Sequence, residues 1–178
     1  MSRLLVSVYL GAVVPLGPDC AEAQTPPDIG GKYATYLAQL GEPDLRRTTD
    51  ASHTYRALWL RAFHEPVSVR VVRRGNAYSV ITKQGGRRDS TDLPAEWWNT
   101  MHRRYAMQAF WTTQPVVSPG AIRLDGAQWI LEGRQGSRYH SVDWWSPQDG
   151  EGIEGAYRLL FLEILSLGSV CVSPNAVY

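Results

Sequence analysis

The chain has 178 residues, 44% hydrophobic and 20% charged, with 18 basic against 17 acidic side chains and a formal net charge of +1. That length suits one domain with enough apolar material for a real core. The balance is globular and excludes an intrinsically disordered chain.

The N-terminus has its own pattern. Arg3 precedes a near-continuous apolar run from Leu4 to Leu16, and Ala21 and Ala23 follow in an A-x-A arrangement. This predicts a secretory leader over residues 1–23, cleaved after Ala23, and a periplasmic or secreted mature protein. Asp19, just before Cys20, departs from a lipoprotein signal. Cleavage would remove Cys20 and leave Cys171 as a single thiol, so the domain is expected to rely on its core rather than on a disulfide. No later segment reads as a bilayer span: "AYRLLFLEILSLGSV" is short and carries Arg158 and Glu163.

Residues 24–54 are rich in proline, glycine and charge and read as a linker or loosely packed arm. Only "KYATYLAQL" (32–40) has a helical pattern, ended by Gly41 and Pro43. A single α+β domain is expected over 55–178. "TYRALWLRAF" has strand composition, bounded by Pro66. "VSVRVV" alternates Val67, Val69 and Val71 with Ser68 and Arg70; "AYSVIT" follows, and Gly75-Asn76 between them signals a hairpin. "KQGGRRDST" reads as an exposed loop. "DLPAEWWNTMHRRYAMQAFW" is a predicted helix, capped by Asp92 or Thr91, with Pro94 in its first turn and Glu96 complementing the dipole. Trp97, Met101 and Tyr105, with Trp98 beside them, define its apolar face.

The segment "DGAQWILEGRQGSRYHSVDWWSP" (125–147) predicts a second hairpin turning at Gln135-Gly136. In that register Glu132 faces Tyr139, Leu131 faces His140 and Trp129 faces Val142. Strand alternation then puts Trp129, Leu131, His140, Val142 and Trp144 on a core face. Gln128, Ile130, Glu132, Tyr139, Ser141, Asp143 and Trp145 fall on the other, mainly solvent, face. "EGIEGAYRLLFLEILSLG" completes the chain as a helix with seven large apolar residues among the nine from Leu159 to Leu167, expected to be buried on most sides. The predicted fold is α+β: a mainly antiparallel sheet of about five strands packed against two helices, in the order of a diverged ββα repeat.

Asp125-Gly126, Trp129, Glu132-Gly133, Tyr139-His140, Trp145-Ser146-Pro147 and Arg61, within "LWLRAFHEPVSVRV" and the second hairpin, give residues 55–167 a pattern that resembles a set of exported bacterial proteins of unknown function. The resemblance implies export and one compact domain; it brings no catalytic residues with it.

The chemistry the residues offer is limited. His53, His64, His102 and His140 form no HExxH or HxH spacing and no CxxC occurs, so no metal site is expected. A G-x-S-x-G elbow is absent. Gly85-Gly86 lacks the Lys-Ser or Lys-Thr of a phosphate loop. No cofactor is expected. Charge is polarised: residues 53–111 hold ten basic and four acidic side chains, and residues 112–178 hold four basic and seven acidic. A basic patch of this kind suits a protein partner or an anionic envelope component; ordinary pairing between the two halves is the alternative, and nucleic acid is not expected for an exported chain. The leading expectation is a non-catalytic exported domain that binds a protein or cell-envelope component through the exposed sheet face. The candidate surface site is Glu132, Tyr139, Asp143, Trp145 and Arg61. The alternative is an envelope-glycan hydrolase using Glu132 and Asp143 as an acid pair, since such enzymes need two carboxylates flanking the scissile bond.

Overall fold

The computed structural model describes residues 32–50, 52–112 and 126–170. The expected leader (1–23), Asp125 and Cys171 lie outside the described residues. Among these residues three helices and six strands follow in the order α1 (Lys32–Leu40), β1 (His53–Arg61), β2 (Val67–Arg74), β3 (Ala77–Gln84), β4 (Arg87–Asp92), α2 (Ala95–Met107), β5 (Ala127–Gln135), β6 (Arg138–Trp145) and α3 (Ile153–Leu167). The strands form one antiparallel sheet in the order β4-β3-β2-β1-β5-β6. The α+β class is as expected, with one more strand and one more helix. Four strands precede α2 and only two precede α3, so the two halves differ in strand number.

The additional strand is β4, in the stretch read as an exposed loop. Gly85 and Gly86 have φ of 51° and 75° and close a tight turn that returns the chain alongside β3; positive φ at both turn positions is what such hairpins require. Every β4 residue is exposed. Backbone pairing with β3 and a hydrogen bond from the Ser169 hydroxyl to Asp89 hold this edge, with no buried apolar side chain, so no apolar alternation marks it in the sequence.

One sheet face carries the larger core. Tyr55, Ala57 and Trp59 of β1, Val67, Val69 and Val71 of β2, and Trp129, Leu131 and Val142 of the second hairpin pack under α2 and α3. Trp98, Met101 and Tyr105 are the buried residues of α2, while Trp97 is 53% exposed. The apolar stripe therefore runs through Trp98, one position along from the face expected at Trp97. Pro94, whose ring carries no polar atom, stands at the N-cap, and the expected caps Thr91 and Asp92 belong instead to β4. In α3 Tyr157, Leu160, Phe161, Ile164 and Leu165 are buried and Leu159 faces solvent.

The turn of the second hairpin lies one residue later than predicted, and the pairing register differs by two. Gly136-Ser137 form the turn, so Glu132 pairs with Ser141, Leu131 with Val142 and Trp129 with Trp144. Gly136 has φ 60° and takes the first turn position, which in a tight hairpin favours glycine. Moving the turn by one residue moves every residue's partner by two, which preserves parity, so the membership of the two faces stands as predicted. Gly133 belongs to the core face opposite His140. A Cβ there would lie 2.5 Å from Phe110, so only glycine leaves room for that ring.

The other face is not open to solvent over β1, β5 and β6. Tyr33, Leu37 and Leu40 of α1 pack on Leu58, Leu60 and Ile130. Leu45, in the segment that returns from α1 to β1, is buried as well. The stretch read as a loosely packed arm thus covers half of the sheet. The uncovered part lies at β3 and β4, where Ala77, Arg88, Ser90 and Asp92 are exposed.

Candidate functional site

The predicted surface site divides between two places. Strand alternation puts Glu132, Tyr139, Asp143 and Trp145 on the α1 side of the sheet. Arg61 is on the opposite side, its guanidinium 4.5 Å from the centre of the Trp59 ring. Trp145 is half-buried against Gly126. Glu132 is 0% exposed and Asp143 5%, so neither is a surface residue.

Glu132 is instead the centre of a buried polar network. Arg56 on β1 donates through Nε to Glu132 Oε2 at 2.6 Å. Tyr139 donates to Glu132 Oε1 at 2.9 Å, and the hydroxyl of Tyr33 on α1 reaches the same oxygen. Arg56 also donates to the Tyr33 hydroxyl (2.8 Å) and the Pro43 carbonyl (2.8 Å) and pairs with Glu42 (3.3 Å). Glu42 in turn meets Arg70 at 3.0 Å and Lys83 at 3.2 Å, and Lys83 donates to the Gly41 carbonyl. Burial opposes the charge on Arg56, but Glu132, Tyr33 and Glu42 outweigh it and raise its pKa. Burial, then Glu132, raises both tyrosine hydroxyls, so they remain donors. Three cations and two carboxylates from four strands and the α1 segment lie within ion-pair distance of one another here, which is how a buried charge is tolerated.

Asp143 is set apart from this network. Gln128 donates to its Oδ2 at 2.6 Å, and Oδ1 is buried without a partner. Burial raises its pKa to about 6, against the opposing hydrogen bond from Gln128. A glycoside-hydrolysing pair needs both carboxylates open to the sugar. Glu132 has both oxygens engaged and no exposed surface, so it does not offer that geometry.

A different polar site stands at the opposite end of β1, where both neighbouring hairpins turn. His53 pairs with Arg73 on one side and Gln135 on the other; Arg73 pairs with Tyr78 and Gln135 with Arg138. These five side chains form one row across five strands on the α2 side. An open pocket of about 260 Å³ lies here, lined by Ser52, His53, Arg73, Gly75, Gln135 and Gly136. His53 is 7% exposed, and its Nε2 has no hydrogen-bond partner. Its ring is wedged among Tyr55 (4.9 Å between centroids), Trp98 (5.0 Å) and His102 (4.8 Å). His102 Nδ1 bonds the Tyr55 hydroxyl at 2.8 Å. Burial, then His102 and Arg73, lowers the His53 pKa to about 4, so the ring is neutral at pH 7.

The sequence reading missed this row. Its signal was the pairing of the two glycine turns about the start of β1, which no single motif displays. The charge polarity resolves in part: Arg56–Glu132 and Arg104–Glu163 (3.1 Å) join the basic and acidic halves. Arg73 and Arg138 have no ion-pair partner among the described residues. Among those residues no group of three or more metal-ligating side chains is assembled, and no helix is long and apolar enough to cross a membrane. No family model and no curated protein sequence matches this chain.

Proposed function

We propose that the chain is a non-catalytic exported domain that binds a protein or cell-envelope component, and that it does so at the hairpin end of the sheet. One observation carries this reading: an open polar pocket lies between two tight turns, lined by Ser52, His53, Arg73 and Gln135, with Arg73 and Gln135 exposed. The exposed sheet face named from sequence is reduced to β3 and β4, because α1 covers the rest. The export half of the reading rests on the leader, whose cleavage predicts Gln24 as the mature N-terminus.

The test is retention of envelope fractions by the immobilised mature protein at low salt, followed by hydrogen exchange on the loaded protein. Protection should concentrate at residues 73–76 and 135–138. Retention of nothing, or protection confined to α3, would refute the reading.

A further inference from the structure

We infer that the histidines under α2 form an acid-sensitive latch: protonating His53, His102 and His140 lifts α2 and the turn that follows it off the sheet while the strands stay paired. The device needs no ligand and stands apart from the binding surface proposed above.

Three of the four histidines gather at one interface. His53 begins β1 and His140 lies on β6; alternation puts both on the face of Tyr55 and Val142, which carries the larger core. His102 comes from α2. Its ring stands edge-on to His53 at 4.8 Å and lies nearly parallel to Trp98 at 6.0 Å. Trp98 also meets His53 at 5.0 Å, and Phe110, just past α2, packs edge-on against His140 at 4.9 Å. Both ends of α2 thus reach the sheet through imidazoles. His64, the fourth, is exposed on the loop after β1. Of the two helices on this face α2 has the smaller seat. It buries Trp98, Met101 and Tyr105, whereas α3 buries Tyr157, Leu160, Phe161, Ile164 and Leu165 and carries no histidine.

These rings are housed as neutral groups. His53 and His140 are buried, and the Nε2 of each is enclosed without a hydrogen-bond partner. A charged ring would need an acceptor or water there, and aromatic walls supply neither. His102 is half-buried, and its Nδ1 lies 2.8 Å from the Tyr55 hydroxyl. Burial raises the pKa of that hydroxyl, so it donates and the neutral ring accepts; protonation takes the acceptor away. The charges bearing on the rings are positive: Arg73 of β2 on His53 and His102, and Arg138 of β6 on His140. Opposite them β1 presents Tyr55 and β5 presents Gly133 and Gln135, none of them charged at neutral pH. From α3, Tyr157 faces Phe110, and Glu163 is engaged with Arg104 of α2 at 3.1 Å. Glu132 and Asp143 project from the other sheet face. Among the described residues no carboxylate lies within ion-pair distance of the three rings. Acid therefore adds positive charge beside positive charge at the seat of α2. The strand ladders are backbone pairs and contain none of these side-chain contacts.

Burial, ahead of the neighbouring charges, lowers His53 and His140 from 6.5 to about 4 and lowers His102 as well. Depressed histidines hold the closed state fully above pH about 6.5 and lose that hold as pH falls to about 4. Each of the two deeper rings then raises the opening equilibrium about 100-fold between pH 7.5 and pH 4. The experiment is hydrogen exchange of the purified protein followed by mass spectrometry at those two pH values, with rates corrected for intrinsic exchange. Protection of residues 95–110 should fall by about 100-fold or more at pH 4, while residues 53–60, 67–74 and 127–135 keep theirs. His102→Gln retains an acceptor for Tyr55 at a half-buried position, so it should fold and lessen the acid loss at 95–110. His140→Gln should lessen it by about 100-fold, and His64→Gln should leave it unchanged. Unaltered protection of 95–110 at pH 4, or its loss together with the strands, overturns the latch. So does a local loss undiminished in both His102→Gln and His140→Gln, which would assign the acid response to the Arg104–Glu163 pair.

Discussion

Replacing Asp143 by asparagine should stabilise the protein at alkaline pH and leave it nearly unchanged in acid. The folded carboxyl titrates at about 6 instead of 3.8 because it is buried, with Gln128 as its hydrogen-bond partner. At about 1.4 kcal/mol per pH unit, holding Asp143 ionised costs the folded state about 3 kcal/mol. Below pH about 4 the group is protonated in both folded and unfolded chains and has no effect. Between about 4 and 6 the unfolded chain has released a proton that the folded chain keeps, so stability falls as pH rises, and above about 6 the loss is complete. Asparagine removes the charge and can keep the Gln128 bond, but its amide leaves a donor where Oδ1 has no partner, which takes back about 1 kcal/mol. The expected net gain is about 2 kcal/mol at pH 8 and within about 0.5 kcal/mol of zero at pH 4. Urea unfolding followed by tryptophan fluorescence at the two pH values measures both. A variant less stable than the parent at pH 8, or a difference independent of pH, would refute the reasoning.

Three further outcomes are expected. Glu132→Gln should destabilise the fold by about 3–5 kcal/mol in the same assay, since it leaves the buried Arg56 charge undercompensated; a loss under about 1 kcal/mol would mean that Glu42 alone holds that guanidinium. Gly133→Ala drives a methyl to 2.5 Å from Phe110 and should cost about 1–3 kcal/mol with a change in near-ultraviolet circular dichroism, whereas an unaltered spectrum would show that the ring moves freely. His140 is depressed to about 4, first by burial and then by Arg138, so its share of stability is complete above pH about 6.5 and is lost as pH falls to about 4. His140→Gln should shrink the acid loss by about 3 kcal/mol, and an unchanged acid limb would contradict the burial of that ring.

The six strands were unequally legible. Val67, Val69 and Val71 alternate cleanly and sit where alternation puts them, and the face membership of the second hairpin survived a displaced register because parity was preserved. β4 was illegible because "RRDSTD" buries nothing. The covered face was misread for a different reason. Arg56, Glu132, Tyr139 and Asp143 carry polar groups that normally seek water, yet here Arg56, Glu132 and Tyr139 bond within one buried network and Asp143 is buried beside Gln128. A signal against the solvent reading was present in β1: Leu58 and Leu60 share the face of Arg56 and need a cover, and Tyr33, Leu37 and Leu40 supply it at helical spacing. The His53 row was not legible, since it exists only once β2 and β5 are both aligned on β1.

That double alignment also orders events in time. β1 lies at the middle of the sheet, yet one of its neighbours is encoded immediately after it and the other beyond α2. A chain emerging N-terminus first can close the β1–β4 meander at once, but β1 then keeps a bare edge until β5 arrives, and exposed edges invite pairing with other chains. The seat of α1 is also incomplete at that stage, because Ile130 and Glu132 come from β5. α1, made before every strand of the sheet, therefore waits for β5 before it can dock, and its closure registers that the late hairpin has been added in the correct alignment.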